Sequence, residues 1–178
     1  MNNIGETNKL DRLGRLGVIG MRGCEEITCR VNEHLKNFNQ DTIDSNFETF
    51  VIPINCPRFG TGEAKAMILH SIRTYDIYII MDAFNYGVTY NMYGQERPMS
   101  PDDHYQDLKR IIAAMGGKAR RITVIMPMLY EGRQHKRVAR ESLDCAMMLQ
   151  ELESMGVTNI ITFDAHDARV QNAIPISG

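Results

Sequence analysis

At 178 residues, 43% of them hydrophobic, the chain is long enough for one domain with a sizeable core, which argues against a disordered segment. Twenty Lys and Arg against 22 Asp and Glu leave a formal charge of -2, so the molecule as a whole has no electrostatic case for nucleic acid or an anionic membrane. No run approaches the ~18 apolar residues of a membrane span, and the opening "MNNIGETNKLDR" lacks the apolar core of a signal peptide, so a cytoplasmic protein is expected.

In chain order, "LGVIG" (Leu16 to Gly20) reads as a short apolar strand. The segment "GCEEITCRVNEHL" that follows places Ile27, Val31 and Leu35 at four-residue spacing, one face of a helix. "FETFVIPI" (Phe47 to Ile54) and "DIYIIMD" (Asp76 to Asp82) are rich in β-branched and aromatic residues and read as strands, with "EAKAMIL" between them a weaker strand or helix signal. Ser100 can cap a helix, Pro101 fits its first position and Asp103 completes a capping box. Leu108, Ile111, Ile112 and Met115 give that helix an apolar stripe, and Gly116-Gly117 ends it. "RITVIMP" (Arg121 to Pro127) reads as a strand buried on both faces, "SLDCAMMLQELESMG" as a helix closed by Gly156, and "NIITFD" (Asn159 to Asp164) as a last strand.

Strands alternating with helices predict an α/β fold, an open parallel sheet flanked by helices with right-handed crossovers. Cys24, Cys29, Cys56 and Cys145 show neither CxxC nor zinc-ligand spacing and are expected to be reduced, small apolar residues. There is no GxxxxGK[ST] loop, no GxGxxG after the first strand, and no evident Ser or Cys nucleophile with a placed base.

Ligands of open parallel sheets sit beyond the carboxyl ends of the strands, so three segments should meet on one rim: the loop after Asp82, "YEGRQHKR" after Pro127, and "DAHDARVQ" after Phe163. Between Tyr130 and Arg140 lie Arg133, Lys136, Arg137, Arg140 and the titratable His135. Guanidinium groups suit phosphate oxygens, while Asp164 and His166 suit a divalent cation carrying those phosphates. The chemistry suggested is nucleotide phosphate with a metal; the plainer alternative is a solvated basic loop and a structural histidine.

Four blocks in a fixed order add a resemblance. "GRQHKRVARES", then a helix, then "NIITFDAHDARVQNAIP", resembles the segment of ribose-phosphate pyrophosphokinases (PRPP synthetases) that commonly reads A-R-Q-D-[RK]-K, R-x-P-I-S-A-K and D-L-H-A-x-Q-I-Q-G-F-F-D-I-P. Upstream, "PRFGTGEAKAMI" resembles R-F-x-[DN]-G-E, and "SIRTYDIYII" resembles S-V-R-G-x-D-V-Y-I-I. The resemblance implies a phosphoribosyltransferase-like N-terminal domain over residues 16–178, after an N-terminal extension over 1–15, with the family's C-terminal domain outside this chain.

As function, the resemblance implies transfer of the pyrophosphoryl group of Mg-ATP to ribose 5-phosphate, giving PRPP for nucleotide biosynthesis, with Mg2+ as cofactor and a homo-oligomer, dimer or hexamer, as the assembly. The missing half of the family's length implies that this chain alone is inactive. Arg133 would contact ATP phosphate, Gln134 would help hold the adenine end with His135 in the same loop, and Phe59, Thr61 and Glu63 would reach the adenine of a neighbouring subunit. His166 would act as the catalytic residue at the metal-phosphate group, and Asp164 would support the cation. Plain alternatives stand beside these roles: Phe59 as core, Glu63 as a solvated strand residue, Asp164 as the cap of a turn.

His135 stands where the family has aspartate, Thr61 where it has Asp or Asn, and "NAIPISG" lacks the later family aspartates, with Ser177 in that region. The stretch "NYGVTYNMYGQERPMSPDDHY" is longer than the usual family loop. These departures leave a second reading, a catalytically silent, regulatory relative that binds nucleotide or phosphate effectors; a third, a flavodoxin-like signalling module, would need all four blocks to be accidental.

Overall fold

The computed structural model describes residues 15–39 and 48–173. The expected N-terminal extension, apart from Arg15, lies outside them, as do Phe47 and the tail around Ser177. Strand β1 (Arg15–Gly20) leads through a tight turn into helix α1 (Glu25–Phe38). Two short strands, β2 (Ile54–Asn55) and β3 (Met67–Ile68), pair antiparallel before β4 (Tyr75–Ile80). A hairpin, β5 (Thr89–Met92) and β6 (Gln95–Pro98), precedes helix α2 (Pro101–Met115). Strand β7 (Arg121–Ile125), helix α3 (Asp144–Ser154), strand β8 (Asn159–Ile161) and a 3-10 turn at Ala168–Ala173 complete the described chain.

The main sheet is parallel, in the order β1-β4-β7-β8. Alternation along each strand divides the core in two, because successive side chains point to opposite faces. Ile19, Ile77, Ile79, Ile122 and Val124 pack with the apolar sides of α2 and α3, whereas Val18, Ile80 and Ile125 pack with Val31 and Leu35 of α1. Strands covered on both faces need continuous apolar runs, which "YDIYII" and "RITVI" supply.

Helix α2 begins as its sequence predicts. Asp103 N donates to Ser100 Oγ at 3.1 Å, Ser100 N donates to Asp103 Oδ2 at 2.9 Å, and Gly116 closes the helix at φ 55°. Helix α3 likewise stops at Gly156, φ 92°. Cys24, Cys56 and Cys145 are buried free thiols, each pushed up to about 11 chiefly by burial, and Cys29 is exposed.

Three sequence expectations need correction. Helix α1 does not bury Ile27, which is 47% exposed; Thr28 and Asn32 are buried instead, beside the half-buried Val31 and Leu35. The polar pair is satisfied: Thr28 Oγ1 donates to Cys24 O at 2.7 Å, and Asn32 Oδ1 accepts Phe50 N at 2.9 Å. The strand expected over "FETFVIPI" is broken in its described part: Val51 forms a parallel bridge to Val18, Pro53 cannot donate to a ladder, and Ile54 beyond it opens the separate strand β2. The β5–β6 hairpin was not foreseen at all. Its two-residue turn, Tyr93-Gly94, has positive φ at both positions (50° and 77°), the type I′ pattern whose twist suits a hairpin.

Thr28 explains one glycine. A Cβ at Gly20 would lie 2.2 Å from Thr28 Oγ1, so α1 can close on the end of β1 only where no side chain stands. Gly20→Ala is expected to destabilise the fold by about 1–3 kcal/mol, the usual cost of overpacking. A urea unfolding midpoint equal to that of the unsubstituted protein would contradict this packing.

Candidate functional site at the carboxyl ends of the strands

Sheet pairing continues past the strand ends and ties two of the rim loops together. Leu129 N donates to Asp164 O at 2.9 Å, while Phe163 N and Asp164 N both donate to Pro127 O, at 3.1 and 3.0 Å. The loop after β7 then turns tightly, with Glu131 at φ 57°, Gly132 N donating to Leu129 O and Gln134 N to Glu131 O. A Cβ at Gly132 would press to 3.0 Å from Leu129 O, and the next nearest atom is Ala165 O at 3.5 Å. Glycine therefore suits the tight turn back onto Leu129 O that carries the Arg133 loop.

These loops and the loop after β4 enclose a cavity of about 230 Å3. Phe84, Arg133, Asp164 and His166 line it, as the rim argument expects, joined by Met128 and by Asp102 from the first turn of α2. Asp164 Oδ1 accepts His166 N at 3.0 Å, and His166 sits at φ 56°. This is the turn-capping role given as the plain alternative for Asp164, and it sets the backbone that carries His166 to the cavity.

The cations of the rim are unneutralised. Arg133, Lys136, Arg137 and Arg140 are all exposed, and among the described residues none of them forms an ion pair. The cavity lining is also acidic, with Asp102 and Glu131 beside Asp164. Glu131 is held above the usual carboxylate range first by burial, then by Asp144 and Asp102. Tyr130, stacked on Tyr105 at 4.7 Å, donates to Asp102 at 2.5 Å, and burial followed by that bond drives its hydroxyl pKa far up.

The remaining expected residues fall elsewhere. Gln134 Nε2 donates to Ser142 O at 2.8 Å, which closes the basic loop on itself. His135 is turned from the cavity, its Nδ1 3.2 Å from Gly132 O and its Nε2 3.3 Å from Asp167 Oδ2, with its ring 5.4 Å from that of His166. Asp167 is clamped by Arg169 at 2.6 Å, and that bond above all holds its carboxyl well below the usual range.

Phe59, Thr61 and Glu63 form a separate turn that does not line this cavity. Phe59 N donates to Glu63 O at 2.7 Å and Thr61 Oγ1 to Glu63 Oε2 at 2.9 Å. Phe59 is 50% exposed, so it is not core, and Glu63 lies in a turn rather than a strand.

Phe84, Asp102 and Glu131 were missed in the sequence. The only signal for Asp102 was its place beside the capping box, which carries no chemistry until the helix start is brought to the rim. As for a metal, Asp164 offers one carboxylate, already bonded through one oxygen, and among the described residues no three His, Cys, Asp or Glu side chains converge. This donor set does not make a protein-held site; it suits a cation that brings oxygen ligands with it. Among the described residues no helix is long and apolar enough to cross a membrane.

Residues 17–156 match the model of the N-terminal domain of ribose phosphate pyrophosphokinase. Ribose-phosphate pyrophosphokinase 1 of Schizosaccharomyces pombe is 31% identical over 66% of this chain and 26% of its own length. The ribose-phosphate pyrophosphokinase of Parasynechococcus marenigrum is 28% identical over 70% of this chain and 34% of its own. A putative ribose-phosphate pyrophosphokinase 2 of Streptococcus pneumoniae is 26% identical over 79% and 41%. In each case the chain spans well under half of the relative. The crystal structure of phosphoribosylpyrophosphate synthetase from Mycobacterium smegmatis superposes with a TM-score of 0.68 at 21% identity, over 90% of this chain and 46% of that one, a likeness of fold. The parallel sheet, its order of blocks and the family match agree: this chain belongs to the family of the N-terminal domain of ribose phosphate pyrophosphokinase.

Proposed function

We propose that the chain is the ATP-side domain of a cytoplasmic, homo-oligomeric ribose-phosphate diphosphokinase. Its full-length form would transfer the pyrophosphoryl group of Mg-ATP to ribose 5-phosphate, and this domain alone would not turn over. The observation that carries the reading is Arg133, exposed and in no ion pair among the described residues, which lines the same cavity as Asp164 and His166. An unpaired guanidinium beside a carboxylate and an imidazole suits a polyphosphate with its cation.

In this reading the chain's residues position and neutralise rather than attack. Arg133 grips the phosphates, His166 donates or accepts at the metal-phosphate group, and Asp164 orients His166 through its backbone bond while its carboxylate faces the cation. Mg2+ would be held mainly by phosphate oxygens and would spread the charge that develops on them. The Phe59–Glu63 turn, which does not line the Arg133 cavity of its own chain, would meet the adenine of a nucleotide in a neighbouring copy. Gln134 shapes the basic loop through Ser142, and His135 does the same through Gly132 and Asp167.

His135 and the clamped Asp167 also favour one rival, the silent regulatory relative, because they leave no spare carboxylate at that point of the loop. Incubation of the full-length protein with ATP, Mg2+ and ribose 5-phosphate, following AMP and PRPP together, separates the two. AMP formed only when the sugar phosphate is present supports the synthetase. A folded, full-length protein that forms none belongs to the rival.

A further inference from the structure

The long segment between β4 and α2 does more than connect them. Its hairpin is fastened to the Phe59–Glu63 turn at three points. Tyr93 N donates to Gly60 O at 2.8 Å. The Arg58 guanidinium lies 4.6 Å from the centre of the Tyr90 ring while its Nη1 donates to Gly62 O at 3.0 Å. Met92 fills the space at Gly62, where a Cβ would come within 2.9 Å of its sulfur.

The tip of the hairpin is poorly chosen for folding alone. Tyr93 occupies a positive-φ position, 50°, that Asn or Gly would fill with less strain. Its ring is 76% exposed, so packing within the chain recovers little of that cost. An exposed aromatic ring held in a strained backbone, on a turn whose backbone is bonded to the residue after the half-exposed Phe59, suits a planar ligand from outside the chain.

We propose that the β5–β6 hairpin is part of the nucleotide site: it holds the Phe59–Glu63 turn in place and adds Tyr93 as a further aromatic contact for the base. The inference rests on the reading above, that this turn meets the adenine held by a neighbouring copy. Arg58, Tyr90 and Met92 are then positioning residues and Tyr93 a contact residue.

Tyr93→Asn tests this cleanly, because Asn accepts the positive φ and keeps the turn while removing the ring. Binding of Mg-ATP and of inorganic tripolyphosphate to the full-length protein is measured by calorimetry for Tyr93→Asn, Tyr93→Phe and Arg133→Ala. The expected result is a roughly 5- to 10-fold loss of ATP affinity in Tyr93→Asn, from the loss of one stacked ring, with tripolyphosphate binding unchanged and Tyr93→Phe like the parent. Equal losses for both ligands would make the hairpin a purely structural element and overturn the inference. Unchanged ATP affinity in Tyr93→Asn beside a clear loss in Arg133→Ala would also overturn it, leaving the proposed function standing. No effect in either variant would remove the underlying nucleotide reading as well.

Discussion

Arg133→Ala in the full-length protein is expected to lower kcat/KM for ATP by about 10- to 150-fold, the loss of a charge-assisted phosphate contact of about 1.5–3 kcal/mol. The size follows from geometry. Arg133 is the cation of the basic loop that lines the cavity with Asp164 and His166, and among the described residues no carboxylate pairs with it. Arg133→Lys should fall between parent and Ala, since an ammonium keeps the charge but not the planar fork. Arg140→Ala is the control for long-range field effects: exposed on the same loop but outside the cavity lining, it should change ATP kinetics less than twofold at physiological salt. Equal kinetics for Arg133→Ala and the parent would remove the phosphate assignment.

The largest effect on stability is expected from Asp107→Ala. Asp107 is 2% exposed at its side chain and joins two arginines, Arg58 Nη2 at 2.9 Å and Arg110 Nη1 at 2.7 Å. Arg58 is itself 6% exposed at its side chain, and its Nε has no hydrogen-bond partner among the described residues. Removing the carboxylate strands a buried guanidinium, which typically costs about 3–5 kcal/mol. Asp103, 3.5 Å from Arg58 Nη1, can share some of that charge, which places the expected loss near 3 kcal/mol. Against a total of about 5–15 kcal/mol for a domain, such a loss is readily seen as a lower urea midpoint. The double variant Arg58→Met, Asp107→Leu should recover much of the loss, because an apolar pair of similar volume replaces the ions. It would also release Gly62 O from Arg58 and so loosen the Phe59–Glu63 turn. A midpoint for Asp107→Ala within about 0.5 kcal/mol of the parent would show that the buried charges are not coupled as their distances imply.

The fold was legible because its signals are local. Capping at Ser100, helix ends at Gly116 and Gly156, and apolar runs in "DIYII" and "RITVI" each depend on a few adjacent residues, and their alternation is enough to require a parallel α/β sheet. The rim was legible for the same reason, since in a parallel sheet all strand ends point one way and the loops after β4, β7 and β8 must converge. What the sequence could not show depends on contacts across the chain. Thr28 and Asn32 are buried in place of Ile27 because Gly20 admits the helix at close range and Phe50 needs an acceptor, neither of which is visible in a four-residue spacing. Asp102 enters the cavity, and His135 leaves it, through partners at Tyr130 and Asp167 that lie far away or across a turn. The hairpin that grips the Phe59 turn escaped because Tyr-Gly is a weak turn signal, and its meaning lies in a hydrogen bond between residues 33 positions apart, Tyr93 and Gly60. Sequence alone therefore determined the class of fold, the family's order of blocks and the rim on which three loops converge; tertiary structure alone decided which polar side chains face that rim, because their partners are set by distance in space.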